Sequence, residues 1–175
     1  MLKKIHLIFI LGIISLLVFP TQAQTTHLVT NTNNAGLGSL RQAVLDASNN
    51  DIIRLSPTLI AGGSDSIVLT SEIAFSKSLV FKGTYNNTDT LYISGNNTNR
   101  IFNIDSTGNI IIDSMALING NSDNGGAVSF IDSDTLIIEN SFIKKNNSSA
   151  NGGGIYSKSK YYSTAYSFTG STAAS

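Results

Sequence analysis

The sequence predicts an all-β chain: a right-handed parallel β-helix, or solenoid, of about four coils, with a signal peptide and a short N-terminal capping helix in front. Three observations lead there. Short apolar runs alternate with Gly, Asn, Asp and Ser along most of the chain. Two of those runs recur at one fixed displacement, Ile110 reappearing as Leu136 and Phe102 as Val128. Charged residues make up only 13% of the sequence, and Trp and Cys are absent, a composition suited to short strands joined by polar turns.

The segment from Met1 to Ala23 reads as an export signal. Lys3 and Lys4 give a positive start, Ile5 to Phe19 form an apolar run, and Pro20-Thr21-Gln22-Ala23 supplies a breaker and small residues where a signal peptidase cuts. The apolar run is short of the ~20 residues that span a bilayer. Sec-type export with cleavage after Ala23 is expected, placing the mature chain outside the cell or at the cell surface or outer membrane. No second apolar run follows, so the mature chain is expected to carry no membrane span.

Without Lys3 and Lys4 the chain has nine basic and eleven acidic residues, a net of −2. Nucleic-acid binders need a basic patch or stripe, so that class is excluded. The absence of Cys removes thiolate catalysis, Cys-ligated zinc and disulfide support. Stability must come from stacked apolar side chains and backbone ladders.

Residues 24–51 read as an N-terminal cap. His27 to Thr30 suggests a short strand, and Asn31 to Gly38 a turn-rich loop. A helix is expected over 39–48, with Leu40, Ala43, Val44 and Ala47 on one face. Ser39 and Gln42 have the spacing of a capping box, each side chain satisfying the other's backbone N–H. Arg41, Gln42 and Asp46 are expected on the solvent side.

Residues 52–157 read as the coils. Ile52 to Leu55, Ile67 to Thr70, Leu79 to Phe81 and Leu91 to Ile93 are strand-like runs bounded by turn residues. Ile110-Ile111-Ile112-Asp113-Ser114 then recurs as Leu136-Ile137-Ile138-Glu139-Asn140, and Ile101 to Ile104 recurs at the same displacement as Ala127 to Phe130. A third copy starts at Gly154-Ile155-Tyr156. A period in the mid-twenties with several short strands matches one coil of a parallel β-helix. Alternation along the strands predicts interior stacks of Phe102, Val128 and Ile155, of Ile104 with Phe130, of Ile110 with Leu136, and of Ile112 with Ile138. Ile111, Asp113, Ile137 and Glu139 fall on the outer face. Gly125-Gly126 and Gly152-Gly153-Gly154 are expected where coil backbones pack closely, and Asn121 over Asn147 as an amide ladder. Residues 158–175 read as an irregular or incomplete tail.

Several of these residues carry a resemblance. Gly38-Ser39-Leu40-Arg41-Gln42-Ala43, Ile93-Ser94-Gly95-Asn96 and Arg100-Ile101-Phe102-Asn103-Ile104 resemble segments of secreted bacterial right-handed β-helix repeat proteins. Gly125-Gly126-Ala127-Val128 is similar to the Gly-Gly-Ala-apolar repeat of the polymorphic outer-membrane-protein, adhesin-like group. The group's companion Phe-x-x-Asn is displaced here, with Asn146 one place late after Phe142. The resemblance covers about Thr30 to Ser157 and implies a surface or secreted protein, adhesin-like, in a chain expected to continue into further coils.

Candidate chemistry is sparse. Some β-helix enzymes place Asp clusters beside Lys or Arg for calcium binding or acid–base work. The carboxylates to consider are Asp105, Asp113, Asp123, Asp132, Asp134 and Glu139, with Arg100 as the basic residue. Asp132 and Asp134 sit where turn-forming Asp is expected. His27 stands alone in the mature chain, so no His-based triad can be assembled. No catalytic residue, metal or cofactor is expected from the sequence. The repeat, the signal and the lack of a catalytic set point to adhesion, binding of a host, matrix or glycan ligand, or a structural role. The alternatives are a polysaccharide lyase or hydrolase whose catalytic coils are missing, and a truncated product without function.

Overall fold

The computed structural model describes residues 23–86, 88–105, 108–131, 135–158, 160–164 and 168–169. The expected signal, up to Gln22, lies outside the described residues, as do Asp132 and Asp134. The chain winds as a parallel β-solenoid of about five turns with little helix. Strand β1 (Thr26–Val29) is followed by helix α1 (Leu40–Asp46). The first full turn carries β2 (Asp51–Leu55), a 3-10 turn at Pro57–Ile60, β3 (Asp65–Val68) and β4 (Ile73–Phe75). The second carries β5 (Leu79–Lys82), β6 (Leu91–Ser94) and β7 (Phe102–Asp105). The third carries β8 (Ile110–Asp113), β9 (Ala116–Ile118), β10 (Asn121–Asn124) and β11 (Val128–Ile131). The fourth repeats it as β12 (Thr135–Glu139), β13 (Phe142–Lys144), β14 (Asn147–Asn151) and β15 (Ile155–Ser157), and a fifth begins with β16 (Lys160–Thr164) and β17 (Phe168–Thr169).

Corresponding strands stack into sheets ordered β1-β2-β5-β8-β12-β16, β3-β6-β9-β13-β17, β4-β7-β11-β15 and β10-β14. Val128 pairs with Phe102 below and Ile155 above, and Phe130 with Ile104. Leu136 lies over Ile110, and Ile138 over Ile112. All of these are buried except Ile155, which is half-buried against the core. Among the described residues β15 ends its sheet, so Ile155 has a described strand on one side only. Lower in the core Phe81 meets Phe102 at 5.0 Å and Phe75 at 5.6 Å between ring centroids.

The turn count exceeds the expected four because strands at both ends, β1 below and β16 and β17 above, extend the stack, even though the early turns are longer and irregular. Asp51 pairs with Leu79, and Leu79 with Ile110, both wider steps along the chain than the one from Ile110 to Leu136. The loop between β5 and β6, closed by an antiparallel bridge from Tyr85 to Thr90, hides the regular period there. The boundaries shift too. β1 already pairs with β2, so the solenoid starts inside the segment read as a cap. β16 and β17 pair with β12 and β13, within the 158–175 segment expected to be an irregular or incomplete tail.

α1 is shorter than the expected 39–48. Ser39 is its N-cap, and Ala47 already has extended backbone at ψ 148. Only half of the capping box forms. The Ser39 hydroxyl accepts from the Gln42 N–H, but the Ser39 N–H donates to the Gly36 carbonyl, leaving the Gln42 side chain to donate to Asp46 at 2.8 Å. Arg41 does not point into solvent. Its guanidinium donates to the carbonyls of Asn34, Ser71 and Glu72 and ties α1 to the loop before β4. Leu40, Ala43 and Val44 are buried, and the helix packs on β1, β2 and β4.

Left-handed residues turn the corners, one above another. Ser114 (φ 60) lies under Asn140 (φ 48), Asn119 (φ 53) under Lys145 (φ 57), and Gly125 (φ 64) under Gly152 (φ 61). Asn tolerates this region better than most side chains. Where two corners meet there is no room for any side chain: a Cβ on Gly120 would fall on the Gly126 carbonyl, and one on Gly126 on the carbonyls of Asn147 and Gly153. Gly120→Ala is therefore expected to cost about 1–3 kcal/mol through overpacking. Gly62→Ala, where a Cβ meets nothing within 4 Å, should be neutral or slightly stabilising. Paired thermal melts of the two variants check this.

Candidate functional site

Polar chemistry gathers at three places, each built from side chains on successive turns. The first is at the base. Asp51, buried at the start of β2, accepts from the Ser48 N–H at 2.8 Å, the Thr25 N–H at 2.8 Å and the His27 Nε2 at 2.9 Å. The Ser48 and Thr25 N–H groups and then the His27 ring hold its carboxyl at about 2, against the opposing effect of burial. This acid closes the first turn on β1.

The second lies on the outer face of the largest sheet. Lys82 is in register with Asp113, and its Nζ donates to Oδ2 at 2.6 Å. Partial burial pushes the Asp113 carboxyl up. Hydrogen bonds from Lys82, Asn140 and Ser114, with the charge of Lys82, outweigh it and leave the pKa lowered. Glu139 is next above Asp113 and Arg54 next below Lys82.

The third is the candidate binding site, a shallow groove of about 340 Å³ between the corners after β6 and along β10. Glu72, just before β4, supplies both carboxylate oxygens at its edge. Oε2 accepts from Arg100 Nη1 at 2.9 Å, and Oε1 from Asn103 Nδ2 at 3.0 Å. Arg100 is fixed on every side: Nε donates to the carbonyls of Asn124 and Gly125 at 3.2 Å, and Nη2 to Ser122 Oγ at 2.6 Å. Asn99, Asn121 and Asp123 complete the polar wall. Asp123 is exposed and accepts from Ser149 Oγ at 2.8 Å on the next turn.

An amide ladder continues this flank upward. Asn121 and Asn147 are in register, with Asn147 Nδ2 3.4 Å from Asn121 Oδ1. Asn121 Nδ2 donates to the Asn97 carbonyl at 2.9 Å, and Asn151 Nδ2 to Asn124 Oδ1 at 2.9 Å. The result is a strip of oriented donors and acceptors along the solenoid axis. Gly125 and Gly126, with Gly153 and Gly154, form the corner beside it, where the Gly126 N–H donates to Gly153 and the Val128 N–H to Gly154.

Of the described carboxylates weighed in the sequence, only Asp123 reaches the groove. Asp113 is paired with Lys82, Asp105 is exposed at the end of β7, and Glu139 flanks Asp113. Arg100 is in the groove, but its carboxylate partner is Glu72, which sequence reasoning missed. Glu72 comes one turn before Arg100, in an irregular stretch where the regular period gives no guide. Ser141 was missed too, and Asn146 was noted only as a displaced motif residue. Buried Ser141 accepts from the Met115 N–H, and buried Asn146 bridges the Gly120 N–H and the Leu117 carbonyl. For Ser141 the available signal was a polar residue one period above Met115, whereas Asn146 lies one period above Gly120 in an Asn-rich corner that gave no separate signal.

Among the described residues no cluster of three or more His, Cys, Asp or Glu could hold a metal ion. No described helix is long and apolar enough to cross a membrane. Compared with family models, curated proteins and solved structures, the chain gives no match.

The Asp51 geometry sets a pH dependence. Its folded-state carboxyl titrates near 2, below the ~3.9 of an unfolded Asp. Its contribution is thus fully present above about pH 4 and lost as pH falls toward 2. Asp51→Asn should destabilise the fold near neutrality by about 1–3 kcal/mol, because two backbone N–H groups lose a charged acceptor. The gap to wild type should close progressively below pH 4, as read from denaturant midpoints across pH 2–7.

Proposed function

We propose that the chain is an exported, surface-associated β-helix that binds a polyhydroxylated ligand, a glycan of host or matrix origin, along its polar flank. On this reading residues 1–23 are a Sec-type signal, the solenoid is right-handed, and α1 caps its N-terminal end. The resemblance to the adhesin-like outer-membrane repeat group agrees with that placement.

The observation that carries the reading is the groove at Glu72, Arg100 and Asp123 with the amide ladder above it. Sugar hydroxyls both donate and accept, and they are matched by side chains that do the same in fixed orientations. Asn99 and Asn121 offer both roles. Asp123 keeps lone pairs free beyond its bond to Ser149. The Glu72–Arg100 pair is locked by four further contacts, so it orients its neighbours without needing rearrangement on binding. Preorganisation of this kind lowers the entropic cost of association.

Titration of the purified chain with chitin oligosaccharides, hyaluronan and polygalacturonate tests the reading. Saturable binding of at least one, weakened about tenfold by Asp123→Ala at unchanged melting temperature, is the expected result. No binding to any of them, or binding indifferent to Asp123, would overturn it. A calcium-dependent rise in ultraviolet absorbance with polygalacturonate would replace it with a polysaccharide-lyase activity.

A further inference from the structure

The largest sheet carries two outward rows that have no part in the groove. One is aliphatic: Ile52, Val80, Ile111 and Ile137 follow one another in register on β2, β5, β8 and β12. Each is partly exposed, and none packs on the core. The other is charged: Arg54, Lys82, Asp113 and Glu139 on the same four strands. Its charges run plus, plus, minus, minus along the axis.

That order is costly for one chain alone. Like charges directly opposite on neighbouring strands destabilise a sheet, and here Arg54 adjoins Lys82 and Asp113 adjoins Glu139. Alternating charges would serve a lone sheet better. Only the central Lys82–Asp113 pair is satisfied within the chain. Among the described residues Arg54 and Glu139 have no ion-pair partner.

The order is, however, self-complementary. Consider a second copy packed face to face across a two-fold axis parallel to the strands, midway between β5 and β8. The operation keeps each row opposite itself and reverses its direction. Arg54 then faces Glu139 of the other copy, and Lys82 faces Asp113. In the aliphatic row Ile52 faces Ile137, and Val80 faces Ile111. A two-fold interface requires such self-complementarity of a single patch.

We infer that this face is the contact surface of a homodimer, with the two solenoids antiparallel and the Arg54 and Glu139 charges paired across the interface. The surface is distinct from the groove, so the inference stands apart from the ligand proposed above. Six strands at ~4.8 Å spacing and four or five residues at ~3.3 Å rise give a face of about 25 by 15 Å. That is under the ~800 Å² per partner of a standard interface, so the dimer should be weak, in the micromolar range, and weakened further by salt.

Sedimentation velocity of the purified chain over a concentration series, at low and high salt, makes the test. Wild type should dimerise reversibly. R54E places Glu opposite Glu139 of the other copy, and E139R places Arg opposite Arg54, so each variant alone should lose about tenfold or more in dimer affinity. An equimolar mixture of the two restores opposite charges at both contacts, and should recover the dimer as a heterodimer. Recovery on mixing cannot come from variants that have failed to fold. A wild type that stays monomeric into the high micromolar range, or a mixture that stays as weak as its components, would overturn the inference.

Discussion

Coils can lie directly over one another only if the chain turns at the same places in every turn, and the corners are where backbone meets backbone. Left-handed residues at Ser114, Asn119 and Gly125, repeated at Asn140, Lys145 and Gly152, fix those places. Gly120 and Gly126 let the corner after β9 approach the one before β11 within the space a Cβ would occupy. Everything else follows from that vertical alignment. The apolar stacks are continuous because the strands are in register, and the outer rows are straight for the same reason. A one-residue slip in any turn would move its whole interior set to the outer face.

Corners interrupt the ladder, and the donors and acceptors left there must be met by side chains. Ser141 serves the Met115 N–H, Asn146 serves the Gly120 N–H and the Leu117 carbonyl, and Asp51 serves the N–H groups of Ser48 and Thr25. Among the described residues no buried side-chain nitrogen or oxygen lacks a partner. Buried polar groups that are fully paired specify one arrangement, because any other register leaves them unpaired at a cost of about 1–3 kcal/mol each. These residues thus hold the turns in place laterally, while the stacked Phe, Ile and Leu residues supply most of the burial.

The readability of this fold in its sequence varies along the chain for a physical reason. Where consecutive turns have nearly equal length, as from Ile101 to Ile155, matching residues recur at nearly matching distances, and interior and exterior can be read by alternation. Where a loop lengthens one turn, as between Lys82 and Leu91, the strands still form but the spacing no longer says which residues stack. Phe75 and Phe81 therefore gave no sign of meeting Phe102, and Glu72 gave none of meeting Arg100. Local signals fared unevenly. Ser39 caps α1, but whether Gln42 would reach back depended on the Ser39 N–H, which the Gly36 turn had already claimed. Arg41 is on the polar side of the helical wheel, yet carbonyls from a distant loop lie within its reach.

The groove shows the same dependence at the level of function. Glu72 comes from the first turn, Arg100 and Asn103 from the second, and Ser122 and Asp123 from the third. No single turn contains enough of it to bind anything, and no segment of sequence resembles a site. Its geometry is set by the inter-strand spacing of ~4.8 Å, because that spacing determines how far apart successive polar rows can be. A ligand lying along the axis would meet a new row of amides and carboxylates at each step, whereas one lying across it would meet a single row and then a corner. On the proposed function, recognition on such a flank would favour extended, repetitive polar chains over compact small molecules. The spacing of these rows is a property of the stacked corners themselves, and it would persist under substitutions of individual groove residues that left those corners intact, even where the affinity fell.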